Sequence, residues 1–312
     1  GVCFFAGTCS EQLRQTKRYQ QITQIPLLVA LDAEWGLGMR LTDAYSFPRQ
    51  MLMGALSPAN DSLILEMAHE VAIQCNKMGI HVNFAPVVDL NSNPLNPVIG
   101  ARSFGENKNR VGAKGLMYMK GLQNNNVIAV AKHFPGHGDT DVDSHLDLPV
   151  INHTKAYVDS VDIVPFIRLA KNGVRGVMVG HLQVNAYDNR RNMPATLSEA
   201  ITNELLRKQV GFKGLIFTDG MDMKAVTKNY SGGKAELMAL LAGADVLLLP
   251  SDVPAVIKTI KAQAEQDSLL LKMIDLKCRA ILREKFRCGL NQMDLTHLTV
   301  PSKEDYQRCS NL

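Results

Sequence analysis

What most constrains the fold of this chain is a repeating order of short, continuous apolar runs and longer helix-like stretches. The runs are GVCFF (residues 1–5), LLVALD (27–32), VNFAPVVD (82–89), VIAVAKHF (127–134), GVMVGHL (176–182), GLIFTD (214–219) and DVLLLP (245–250). They are apolar throughout rather than alternating, the pattern of parallel strands covered on both faces. Helices are predicted over residues 11–22, 60–78, 107–124, 160–172, 198–210, 233–242, 254–267 and 269–286. This is βα repetition, not a run of hairpins, and it predicts an α/β fold. No G-x-G-x-x-G follows the first strand, whereas nearly every predicted strand ends in polar residues: Asp32, Asp89, Lys132–His133, His181 and Asp219. A doubly wound sheet gathers its site near one crossover, while a (β/α)8 TIM-like barrel draws it from many strand ends. The barrel is the expectation. Seven strands are visible where a closed barrel has eight, so it is expected to be irregular or to lack its first strand.

At 312 residues and 46% hydrophobic, the chain can bury a full core. Residues 1–288 are assigned to the catalytic barrel. Residues 289–312 are polar and weakly patterned, and are read as a tail or linker toward a further, fused domain. A formal charge of +4 is mild, and Lys and Arg are scattered without the basic stripe of a nucleic-acid binder. No segment reaches the roughly 18 apolar residues of a membrane span. The six cysteines form no C-x-x-C pair, so free thiols are expected, with Cys278, Cys288 and Cys309 able to bridge in an oxidising compartment. The chain begins at Gly1 inside an apolar run and reads as a processed or trimmed start. A periplasmic, cell-envelope or cytoplasmic location therefore stays open.

The densest chemistry lies in KHFPGHGDTDVDSH, Lys132 to His145, directly after the apolar run 127–131. Lys132 and His133 leave the strand together, with opposed side-chain directions expected. Asp143 and His145 are two residues apart, so in an extended loop the carboxylate can orient an imidazole that gives and recovers a proton. Asp219 closes its strand and is followed by glycine, which suits a carboxylate presented to a pocket. Asp32, close to the indole of Trp35, is a combination suited to sugars: hydroxyls to the acid, the apolar ring face to the indole. Arg102 can hold a ligand oxygen, and Asp89 and His181 complete the rim or buttress it. The His and Asp residues of 133–145 could also ligate a metal, but they lack H-E-x-x-H and regular ligand spacing, so neither metal nor cofactor is expected.

KHFPGHGDTDVDSH, with LDAEWG, NFAPVVD and RSFGE before it and FTDGMDM after it, closely resembles the family 3 glycoside hydrolases, in particular their bacterial β-N-acetylhexosaminidase branch. The resemblance runs in order through most of residues 1–250. It implies a barrel-like catalytic domain in which Asp219 is the nucleophile and His145, paired with Asp143, is the acid/base. It also implies that Asp32, Arg102, Lys132 and His133 hold an N-acetylglucosamine unit, with Trp35, His181 and Met221 as further substrate-binding candidates. The expected reaction is retaining removal of terminal β-linked N-acetylglucosamine (GlcNAc), from peptidoglycan fragments carrying GlcNAc-1,6-anhydro-N-acetylmuramic acid or from chitooligosaccharides. EWGLGMR and Gly220–Met221–Asp222 depart from the family's common runs and leave the leaving-group side open. The alternatives are a β-glucosidase or β-xylosidase of the same family, a silent sugar-binding module and, more distantly, a metal-dependent hydrolase.

Overall fold

The computed structural model describes residues 1–140 and 147–312. Its strands are β1 (Val2–Phe4), β2 (Val29–Leu31), β3 (Val82–Asn83), β4 (Ile128–Phe134), β5 (Val150–Ile151), β6 (Gly176–Val179), β7 (Gln183–Val184) and β8 (Leu215–Thr218). Six of them form one parallel sheet in the order β1-β2-β3-β4-β6-β8, and β5 and β7 form a separate parallel pair. The crossovers carry the predicted helices, among them Cys9–Gln21, Ser62–Lys77, Lys108–Gln123, Val164–Lys171, Ala200–Gln209 and Lys234–Ala242. Local sequence sets where they start. Thr8 and Glu11 cap the first helix reciprocally, and the Asn107 side chain accepts from the N–H groups of Asn109 and Arg110 at the start of Lys108–Gln123.

Both faces of the sheet are dry, as continuous apolar runs require. One set of strand residues (Leu28, Ala30, Val82, Phe84, Ile128, Val130, Met178, Leu215 and Phe217) packs on itself. The alternate residues (Val29, Leu31, Ala129, Ala131, Val177, Val179 and Ile216) face the helical layer. A parallel sheet whose inner face packs against itself must curl, and that is the barrel-like α/β architecture expected of the chain.

The strands are all shorter than their apolar runs, and three runs show where the ladder stops. In 82–89 the ladder ends at Asn83, Pro86 has no N–H to give, and an isolated bridge joins Val87 to Lys132. The run 176–182 ends its ladder at Val179. The run 245–250 contributes a bridge between Val246 and Phe217, and Leu249, at φ 48°, turns the chain out of extended geometry. Among the described residues no ladder joins β1 to Val246–Leu248; an apolar cavity of about 380 Å³ lies between them.

Residues 289–312 dock on the body of the molecule. Leu290, Leu298 and Cys309 are buried, and the helix Lys303–Ser310 is held to Ser62–Lys77 by Lys77 Nζ at 2.6 Å from Asp305 Oδ2 and by Gln74 Nε2 at 3.0 Å from Cys309 Sγ. All six cysteines are free thiols. No helix among the described residues is long and apolar enough to cross a membrane.

Candidate active site

The C-terminal ends of β2, β4 and β8 open on a cavity of about 490 Å³. Asp32, Arg40, Arg102, Lys132, His133, His137, Asp219 and Asp222 line it, together with the apolar Phe5, Phe84, Met178, Met223 and Leu249. On one side, cations and carboxylates interlock. Lys132 Nζ lies 2.8 Å from Asp32 Oδ1 and 2.7 Å from Glu34 Oε1. Arg102 forks onto Glu34, with Nη2 at 2.7 Å from Oε1 and Nε at 3.0 Å from Oε2, and Arg40 donates to the other oxygen of Asp32. Asp32 and Glu34 are two apart in an extended segment, so their side chains share a face.

Burial works against ionisation of both carboxyls. It is outweighed for Asp32 by Lys132 and Arg40, and for Glu34 by Lys132 and Arg102, and both stay below the ordinary carboxylate range. Burial likewise opposes the charge on Lys132 and Arg102, and the same carboxylates raise both above their usual values. The result is a fixed set of charged N–H donors and carboxylate acceptors, suited to sugar hydroxyls and able to keep its geometry without solvent.

Across the cavity, Asp219 extends the sheet by one residue beyond β8, its N–H donating to Val179 O at 3.0 Å. The Gly220 N–H donates to Asp219 Oδ1 at 2.8 Å. Burial pushes the Asp219 carboxyl up, but His133, His181 and that N–H together draw it below its usual value, so it is a carboxylate at neutral pH. His181 is positioned behind it. Its Nε2 donates to Gly220 O at 2.8 Å, and its Nδ1 lies 2.7 Å from the Thr196 hydroxyl oxygen.

Asp89 performs a similar service on the opposite flank. It accepts from the backbone N–H of His133 (3.0 Å) and of His137 (2.7 Å), and lies 2.7 Å from His133 Nδ1. His137 is pushed down to about 4, mainly by burial and then by His133, which leaves it neutral near pH 7.

The structure therefore brings Asp32, Arg102, Lys132, His133 and Asp219 to one cavity. His145 and Asp143 lie outside the described residues. Lys132 and His133 both reach the cavity instead of pointing oppositely. The β4–β6 pairing shifts register between Ala131 and Phe134, and the strict two-residue alternation ends there.

Three candidates are not on the wall. Trp35 packs against the outer core, with the Arg49 guanidinium 4.8 Å over its ring; Phe5 and Phe84 are the aromatic residues that line the cavity. Met221 is buried, its N–H bonded to Leu248 O at 2.9 Å, and Met223 lines the cavity in its place. His181 is fully buried behind the cavity wall, where it holds Gly220 O and acts on the Asp219 carboxyl. Glu34, Arg40 and His137 are the participants that the sequence reading passed over. Glu34 had a signal, its two-residue offset from Asp32, whereas Arg40 had none. Among the described residues, no three His, Cys, Asp or Glu side chains converge to hold a metal ion.

Comparison with known proteins gives this geometry its context. The sequence profile described as "Glycosyl hydrolase family 3 N terminal domain" matches residues 7–283. The chain is 38% identical over 249 residues to beta-hexosaminidase A of Pseudoalteromonas piscicida, covering 76% of this chain and 42% of that protein. It is 34% identical over 286 residues to beta-hexosaminidase LpqI of Mycobacterium tuberculosis, covering 86% of this chain and 69% of that one. Among solved structures, a family 3 beta-N-acetylglucosaminidase from Paenibacillus sp. str. FPU-7 superposes with a TM-score of 0.90 at 31% identity, over 100% of this chain and 61% of that one. The chain thus spans less than half of the first relative and about three fifths of the solved one. By profile, by sequence and by superposition, it belongs to glycosyl hydrolase family 3.

Proposed function

We propose that the chain is the catalytic part of a retaining exo-β-N-acetylglucosaminidase acting through a covalent glycosyl-aspartate. The observation that carries this reading is the ionised Asp219 at the end of β8, facing a cavity whose opposite wall is a fixed array of sugar-binding charges. Asp32, Arg40, Arg102, Lys132 and His133 take the hydroxyl and acetamido groups of the terminal sugar. Asp219 attacks C1 as the C1–O bond to the leaving group breaks, and His145, paired with Asp143, delivers the proton to that oxygen. His145 then takes a proton from water as the water displaces Asp219 with a second inversion, so the β-configuration is kept.

The identity of the sugar follows from the kinship with enzymes called beta-hexosaminidase and beta-N-acetylglucosaminidase. The substrates that fit are peptidoglycan fragments with GlcNAc on 1,6-anhydro-N-acetylmuramic acid, or chitooligosaccharides. A side-by-side rate comparison of aryl β-GlcNAc, aryl β-glucoside and a muropeptide-derived disaccharide tests the reading. It predicts that the glucoside is turned over far more slowly than either GlcNAc compound, and that Asp219→Ala abolishes all turnover. A preference for the glucoside, or turnover surviving in Asp219→Ala, contradicts it.

A further inference from the structure

Asp222 lines the cavity and takes no part in the proposed chemistry. It follows the nucleophile closely in the chain, and its Oδ1 is turned back toward Gly220, 2.9 Å from where a side chain there would begin. An aspartate just before a helix ordinarily caps it. Here the short helix Lys224–Thr227 has Met223 at its N-cap position and no side chain capping it. Among the described residues the Asp222 carboxylate makes neither a hydrogen bond nor an ion pair. It carries no structural duty that explains its place.

Exposure separates the two ends of the cavity. Lys132, His133 and His137 are buried, and Asp32, Arg102 and Asp219 are partly covered, whereas Phe5 and Asp222 are the exposed residues of the lining. An enzyme that removes a terminal sugar seats that sugar at the closed end, so the rest of the glycan leaves past the exposed residues. An aromatic ring and a carboxylate there suit a sugar, with its apolar face to the ring and its hydroxyl or ammonium groups to the acid. The nearby cations are engaged or lie off the wall. Arg40 donates to Asp32, and its guanidinium lies 5.3 Å over the Phe5 ring. Lys228 pairs with Asp147 at 3.0 Å, and Lys224, exposed at the start of the next helix, is not part of the lining.

We infer that Asp222 is a specificity-determining residue for the leaving group: its charge disfavours leaving sugars that carry a carboxylate and favours those that are neutral or carry an ammonium group. Within the proposed activity it selects chitooligosaccharides, partly de-N-acetylated ones included, over fragments ending in 1,6-anhydro-N-acetylmuramic acid. The inference rests on the reading of the chain as a retaining exo-β-N-acetylglucosaminidase. A unit charge about 4 Å away in water changes a rate or binding constant by roughly fivefold, which sets the size of the effect.

The test measures kcat/KM on three disaccharides that share a terminal β-linked GlcNAc, in mildly acidic buffer that keeps an amine protonated. The leaving sugar is GlcNAc (neutral), glucosamine (cationic) or 1,6-anhydro-N-acetylmuramic acid (anionic), and aryl β-GlcNAc reports the basal activity. Asp222→Asn keeps the shape and removes the charge, Asp222→Lys reverses it, and Asp222→Glu retains it. At low salt Asp222→Asn should raise the anionic-to-neutral ratio about fivefold and lower the cationic-to-neutral ratio by about the same factor. Asp222→Lys should move both ratios further, and Asp222→Glu should keep them near those of the parent protein. At about 1 M salt, where screening acts beyond about 3 Å, the shifts should largely vanish.

Ratios that stay at the parent values in Asp222→Asn and Asp222→Lys overturn the inference. So does a loss shared equally by all three disaccharides, the mark of a residue that supports the fold or the reacting groups. A shift that persists at high salt is an effect of shape and overturns it as well. Each of these results leaves the proposed function standing as long as the parent protein turns over aryl β-GlcNAc. A parent protein that hydrolyses neither the aryl compound nor any disaccharide contradicts the proposed function and takes the inference with it.

Discussion

Glu34 touches both Lys132 and Arg102 while closed to solvent, so neutralising it leaves two cations short of a counter-charge in a low-dielectric wall. Breaking a buried ion pair at one partner costs about 3–5 kcal/mol. Glu34→Gln, which keeps the shape, should therefore cost about 3 kcal/mol in urea unfolding and weaken substrate binding; a stability equal to the parent protein would contradict the hub described here. Acid acts on the same groups in one direction. Asp32 and Glu34 titrate below the ordinary carboxylate range, so their contribution is present above the unfolded value, near pH 4, and disappears as pH falls through the lower folded values.

The decline on mild acidification has a different source. His81 accepts the Val29 N–H on Nδ1 at 3.2 Å, and burial, then Lys285, pushes it down to about 4. An unfolded histidine titrates near 6.5, so between these values the unfolded chain binds a proton that the native ring refuses. Stability should fall by about 2 kcal/mol per such group from pH 7 to pH 5. His81→Asn, which keeps an acceptor, should lose less over that interval, and an unchanged pH slope would contradict the assignment. At this scale the sequence was legible wherever a polar residue ends an apolar run, as at Asp32, Lys132 and Asp219. It was silent where a role depends on a partner distant in sequence, and so Arg40 was missed and Trp35, readable as sugar-facing or as core, packs on the core.

The strand-to-loop turn after β4 is the most constrained element near the site. A side chain on Gly138 would begin 1.4 Å from the Leu90 carbonyl oxygen, closer than any adjustment of a flexible side chain could relieve. Gly138→Ala should cost about 3 kcal/mol, the upper end of overpacking penalties, and should lower kcat more than it raises KM, because the turn leads toward Asp143 and His145. Wild-type stability and turnover in that variant would refute the close approach. Six of the seven apolar runs carry strands of the parallel sheet, since residues buried on both faces must all be apolar; the run 245–250 gives one bridge, and β5 and β7 were not foreseen. Strand length was not legible. The runs stay apolar past Asn83 and Val179, where the ladders end, because the residues beyond them are buried too; past Val246 they are half-buried. The register shift in β4 that turns both Lys132 and His133 into the cavity depends on pairing, and a single strand's sequence does not encode it.

For the whole molecule, one curled parallel sheet gathers strand ends distant in sequence around a common cavity, and in the proposed mechanism the charges on its two sides divide the work between holding the sugar and attacking it. The polar tail, read from composition as a linker, packs on the body through Asp305 and Cys309; its few apolar contacts are spaced too widely to show as a pattern. The account turns on Asp219 carrying the sugar between the two steps. The direct measurement is rapid quenching of the protein as it turns over an activated aryl β-GlcNAc, followed by proteolysis and mass mapping. One N-acetylhexosamine ester-linked to Asp219 is the predicted result. Turnover that leaves the sugar on another residue, or on none while releasing the α-anomer, would contradict the account.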